Sequence, residues 1–147
     1  MKKLILIGFV PLLFSCSNQP ECDDSDVKDI VKEIYIDDYR GLLEKKYINN
    51  NYNRNDIYQF AKENNKDYDE LNEEILASLK KESSLFSDSI ISVSKIEVNG
   101  IRLLDKNEKI KKCECAAELI LDDENYDIEY SAQHTEDGKI YVELSYQ

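Results

Sequence analysis

The sequence predicts an α+β fold in which N-terminal helices pack on one face of a four-stranded antiparallel meander sheet. Two features of its patterning predict this. Apolar residues recur at helical spacing as far as Leu79, then alternate strictly with polar ones from Lys95 onward. Three short polar connections cut the alternating half into four amphipathic segments, the pattern of an antiparallel sheet with one covered face. A third feature is compositional. The chain has 147 residues, 41% of them apolar, with ten Tyr and four Phe but only four Gly and two Pro, both Pro lying before residue 21. This suits a single domain over residues 23–147 with a modest core and no internal repeat.

The first helix should begin at Asp23-Asp24-Ser25-Asp26, which supplies capping side chains and negative charge at a helix N-terminus. Val27, Ile30, Val31 and Ile34 follow at helical spacing, and the stripe drifts onto Tyr35, Tyr39, Leu42, Leu43 and Tyr47. Asn49-Asn50-Asn51 should end the helix near Lys46, because Asn favours turns over helix interiors. Asn55 is positioned to cap a second helix carrying Ile57, Phe60 and Ala61, and Asp67 a third carrying Leu71, Ile75, Leu76 and Leu79. Residues 83–94 are Ser-rich and read either as a packed connection or as the start of a strand.

Ile96, Val98, Ile101 and Leu103 form the first strand, with a bulge at Asn99-Gly100 and a turn at 105–108. The second strand places Cys113, Cys115, Ala117, Leu119 and Leu121 on one face and ends in a turn at 122–125. Tyr126, Ile128, Tyr130, Ala132 and His134 share a face of the third. After Thr135-Glu136-Asp137-Gly138, Ile140, Val142, Leu144 and Tyr146 share a face of the last.

Residues 1–16, MKKLILIGFVPLLFSC, have the arrangement of an export signal: Lys2 and Lys3, an apolar run of eleven residues from Leu4 to Phe14, and Leu13-Phe14-Ser15-Cys16. This stretch resembles the signal peptide and lipobox of bacterial lipoproteins, although Phe14 stands where a smaller residue is usual. The resemblance implies cleavage after residue 15, lipidation of Cys16, a short tether over residues 16–22 and a membrane anchor made of acyl chains. Eleven apolar residues are too few to cross a hydrocarbon core of about 30 Å as a helix. Ser17, rather than Asp, after the lipidated Cys favours the outer membrane as the location within the cell envelope.

The chain carries 19 basic and 31 acidic side chains, a net charge of −12, and losing Lys2 and Lys3 with the signal makes it two charges more negative. Such a field repels phosphate backbones and anionic headgroups, so no nucleic-acid partner is expected and the lipid itself must hold the protein to the membrane. A basic protein is the partner that this charge would suit.

With Cys16 lipidated, Cys22, Cys113 and Cys115 remain in an oxidising compartment, enough for one bridge and one spare thiol. Cys22 lies just ahead of the first helix, while Cys113 and Cys115 share the strand face that the helix should cover. Cys22 therefore pairs with Cys115, or with Cys113 as the alternative. Cys113-x-Cys115 as a metal or redox pair is disfavoured, since no His or Met stands nearby in sequence to complete a shell. A Cys ahead of a capped helix, then Cys115-Ala116-Ala117-Glu118-Leu119, a Tyr-containing strand, an Asp-Gly turn and a final Tyr-Val-Glu strand resemble small uncharacterised bacterial lipoproteins. That likeness implies a cystatin-like or NTF2-like helix-on-sheet shape and no particular activity.

Catalytic machinery is sparse. His134 is the single histidine and follows the core-facing alternation at a strand end, as a structural residue would. No nucleophile elbow, zinc-helix motif or phosphate loop occurs. Asp123, Asn125 and Asp127 match the first calcium-loop ligand positions, but Ile128 and His134 stand where Gly and Glu are required. No metal or other cofactor is expected. Tyr35, Tyr39, Tyr126, Tyr130 and Tyr146 would line a ligand cleft if the sheet curled around the first helix, and Tyr35, Tyr126 and Tyr130 are the foremost ligand-binding candidates. The expectation is a non-catalytic, membrane-anchored lipoprotein that binds a protein or small ligand. The alternatives are a small enzyme with a carboxylate- and Tyr-lined cavity, or an immunity-type inhibitor of a basic toxin.

Overall fold

The computed structural model describes residues 19–146. The expected signal peptide, Cys16 and Ser17 lie outside the described residues. Three helices, α1 (Ser25–Asn51), α2 (Arg54–Glu63) and α3 (Tyr68–Ile91), precede four strands, β1 (Ile96–Asn107), β2 (Lys112–Leu121), β3 (Glu124–His134) and β4 (Ile140–Tyr146). The strands form one antiparallel sheet in the order β1-β2-β3-β4. The fold is α+β, with the helices on one side of a meander, as the change of period predicts.

At 1.5 Å per residue, the 27-residue α1 is about 40 Å long, too long for the sheet to cover all of it. Its first half supplies Val27, Val31 and Tyr35 to the core, against Val98, Cys115, Ala117, Leu119, Ile128, Tyr130, Ala132 and Val142. Val27, Val31 and Leu119 have no exposed surface. Its second half runs past the strands and packs along α3, which in turn carries α2.

Several boundaries differ from expectation, each for a visible reason. Asn49, Asn50 and Asn51 do not end α1; the helix continues to Asn51, and the Tyr52 amide donates back to the Ile48 carbonyl. Contacts with α3 hold this last stretch: the Tyr47 ring packs tilted against Phe86 with centres 5.2 Å apart, and the Tyr52 hydroxyl donates to Asn72 Oδ1 at 2.8 Å. Asp24 is the first-helix cap position but makes no side-chain cap; its carboxylate accepts from the Glu21 amide instead. Asn53, not Asn55, caps α2, its Oδ1 accepting from the amides of Asn55 and Asp56. Asp67 caps α3 by accepting from the Glu70 amide at 3.0 Å.

The Ser-rich stretch up to Ile91 is helix. Ser83 and Ser87 are buried, and the hydroxyls of Ser83, Ser87 and Ser89 donate to carbonyls one turn back. Small side chains on this face let α3 lie close to α1, where Arg40 pairs with Asp88 at 3.1 Å and Ser87 donates to Glu44.

β1 is a single bent strand, with register shifts at Asn99/Arg102 and Leu103/Asp105 and Gly100 at φ +58°. It runs through Asp105–Asn107, so the turn falls at residues 108–111 rather than 105–108. The β2–β3 turn is only Asp122-Asp123, because Glu124 and Asn125 are already paired with Leu121 and Ile120. Asp122 holds φ +54° while its carboxylate accepts from the Lys95 amide and its own amide donates to the Lys95 carbonyl, both at 2.8 Å.

Candidate functional site

Cys22 and Cys115 form a disulfide across 93 residues, with Cα atoms 5.8 Å apart, and Cys113 keeps a buried free thiol. The segment ahead of α1 is docked there by more than the bridge. Gln19 Nε2 donates to the Lys112 carbonyl at 3.0 Å, Pro20 is fully buried, and the Tyr130 hydroxyl donates to the Cys22 carbonyl at 2.6 Å. Burial, with negative charge from the Cys113 and Asp23 side, pushes the Tyr130 hydroxyl up to about 12. Burial likewise raises the Cys113 thiol. A cavity of about 270 Å³ opens beside the bridge, walled by Cys22, Cys113, Ile101 and Leu103, with Lys106, Glu21 and Asp23 also facing it.

The tyrosines divide into two groups. Tyr35 stacks on Tyr39 with ring centres 6.1 Å apart and lies 6.3 Å from Tyr146, whose hydroxyl donates to Asp38 Oδ2 at 2.7 Å. Tyr126 begins the same inner row of β3 and donates to Glu124. Tyr130, two inward positions further along, belongs to the cysteine end, and none of the five tyrosines lines the cavity beside the bridge. Tyr35 and Tyr130 are core residues, whereas Tyr126 and Tyr146 are exposed. His134 is half-buried at the end of β3, and its Nδ1 has no hydrogen-bond partner among the described residues. Asp123, Asn125 and Asp127 do not converge, since Asp123 sits in the turn and the other two occupy alternate outward positions of an extended strand.

The outer face of the sheet is the larger feature, and no described helix packs on it. Alternation places Asp105, Glu114, Glu118, Asp127 and Glu143 there, all exposed, with Arg102 and Lys112 as the basic residues. Asp105 lies directly opposite Glu114, and Glu118 directly opposite Asp127. Directly opposed like charges weaken a strand pair. Leu104, pushed outward at the second β1 register shift, and Tyr141 are each at least half exposed among these acids. A shallow groove runs between Leu104, Glu114, Ser131, Glu143 and Ser145. The period-2 pattern contains this face, but which of its carboxylates lie opposite one another follows only from the strand register. No helix among the described residues is long and apolar enough to cross a membrane. No family model, curated protein or solved structure matches this chain.

Proposed function

We propose that this chain is a lipid-anchored protein of the bacterial cell envelope that acts without catalysis, holding a basic protein on the open outer face of its sheet. The observation that carries this reading is the two pairs of opposed carboxylates, Asp105 with Glu114 and Glu118 with Asp127, on a face that no described helix covers. Lys112 already pairs with Glu114 at 3.4 Å, so the repulsion that a cationic partner would relieve lies at Glu118 and Asp127. Leu104 and Tyr141 add the apolar contact that a purely electrostatic encounter lacks. Neutralising a basic toxin would be one use of the same surface. The leader and Cys16 supply the anchor in this proposal, and the acidic domain would be kept off anionic headgroups by its own charge.

The test uses the intact protein isolated from native membranes, with and without Glu118→Lys and Asp127→Lys. A partner that is captured at low salt, released as ionic strength rises and lost with the double reversal supports the proposal. Capture that survives both would sink the acidic-face reading. Labelling with an alkyne fatty acid that marks the wild-type chain, and not Cys16→Ala, tests the anchor separately.

A further inference from the structure

Cys113-x-Cys115 offers two soft donors without a third in the neighbouring sequence. Folding provides the third from 91 positions away, since Cys22, Cys113 and Cys115 place their sulfurs within 4.8 Å of one another, all buried. Cys113 Sγ stands 3.7 Å from Cys115 Sγ, both projecting inward from β2. A trigonal centre with metal–sulfur bonds of about 2.3 Å needs sulfurs roughly 4 Å apart. The pair on β2 is therefore already near that spacing, and Cys22 has to retreat from bonding distance once its disulfide opens.

We propose that reduction of the Cys22–Cys115 bridge creates a three-thiolate site for a soft monovalent cation of the Cu(I) class. Thiolates select soft cations, and three sulfurs suit a trigonal ion. Structural zinc asks for four ligands, and no carboxylate or histidine joins this cluster among the described residues. The cavity beside the bridge gives access, because Cys22 and Cys113 both form part of its wall. Glu21, Asp23 and Asp24 hold their carboxylates within 4.8 Å of one another, and Glu21 and Asp23 face the same cavity, where their field concentrates cations. Lys106, paired with Cys113 across the strands, faces the same cavity.

The chemistry balances with a dithiol as reductant. Its first thiolate attacks one bridge sulfur and forms a mixed disulfide, and its second thiol releases the protein as the reductant closes its own disulfide. Two electrons and two protons end on Cys22 and Cys115. Cu(I) then replaces one proton on each of three thiols, which pass to solvent, and no oxidation state changes.

The experiment compares mature wild type with Cys113→Ser, which keeps the bridge and folds in its oxidised form. Each is reduced with dithiothreitol, desalted without oxygen and titrated with Cu(I) against a chromophoric Cu(I) chelator. One equivalent bound by the reduced wild type, at least tenfold more tightly than by reduced Cys113→Ser and not at all by oxidised wild type, supports the site. X-ray absorption should count three sulfurs in the wild type. If the reduced apoprotein loses its circular dichroism, Cu(I) must restore it. Equal binding by the two reduced proteins, uptake by the oxidised form, or unfolding that Cu(I) leaves unchanged would overturn the inference.

Discussion

Replacing Cys22 and Cys115 together by Ala removes the one covalent constraint that ties the start of the domain to the centre of its sheet. The closed segment spans 93 residues. In the chain-entropy treatment a loop of that size confines the unfolded chain by about 4.6 kcal/mol at 25 °C. Deleting the two sulfurs also leaves a small void at a fully buried position, a cost of under about 1 kcal/mol. For roughly 130 residues, an unfolding entropy near 2.1 cal/mol/K per residue converts the sum into a fall in Tm of about 15–20 °C. Urea unfolding without reductant, followed by circular dichroism, measures the difference directly. The m value should rise as well, because the freed unfolded chain exposes more surface. Cys113→Ala is the control, for it creates a void beside the bridge and leaves the loop closed. A double-variant loss below about 2 kcal/mol with an unchanged m value would refute the reasoning, since the unfolded chain would then be confined by something other than the bridge.

Two further outcomes test local arguments. Tyr130→Phe should cost about 1–2 kcal/mol at pH 7 by leaving the Cys22 carbonyl without its donor. Because Tyr130 is raised from 10 to about 12 in the folded protein, its stabilisation is complete below pH 10 and is lost as pH climbs through about 12. The stability gap between wild type and variant should therefore shrink over that alkaline window, and a gap constant from pH 8 to pH 11.5 would count against the buried hydroxyl. At α2, Asn53→Ala should cost about 1 kcal/mol and lower hydrogen-exchange protection of the helix some fivefold, while Asn55→Ala leaves it unchanged. Equal effects at the two positions would contradict the observed cap.

The strands were legible away from the β1 register shifts and the turn boundaries, because a pleated chain with one wet face writes its geometry at period 2. Cys113, Cys115, Ala117, Leu119 and Leu121 share a buried face as that period requires. The helices were legible where apolar residues make the contact, at Val27 and Val31 against the sheet and at Ile57, Ala61 and Leu79 between helices, and illegible where Ser and Asn make it. Ser83 and Ser87 read as part of a packed connection or of a strand start because a hydroxyl competes for backbone hydrogen bonds. Only the approach of α1, which needs small side chains at the contact, makes them helical and buried. Likewise the Asn run signals a turn by local propensity, and its extra turn of helix is secured by Tyr47 and Tyr52 against residues of α3.

Local order along the chain thus decided most element types, the α+β class and the acidity, since period and charge are properties of neighbouring residues. Three matters belonged to the folded molecule alone: which cysteine of β2 meets Cys22, how the tyrosines part into two groups, and which carboxylates oppose one another outside. Each is a relation between segments distant in sequence, and only the strand register and the path of α1 bring those segments together.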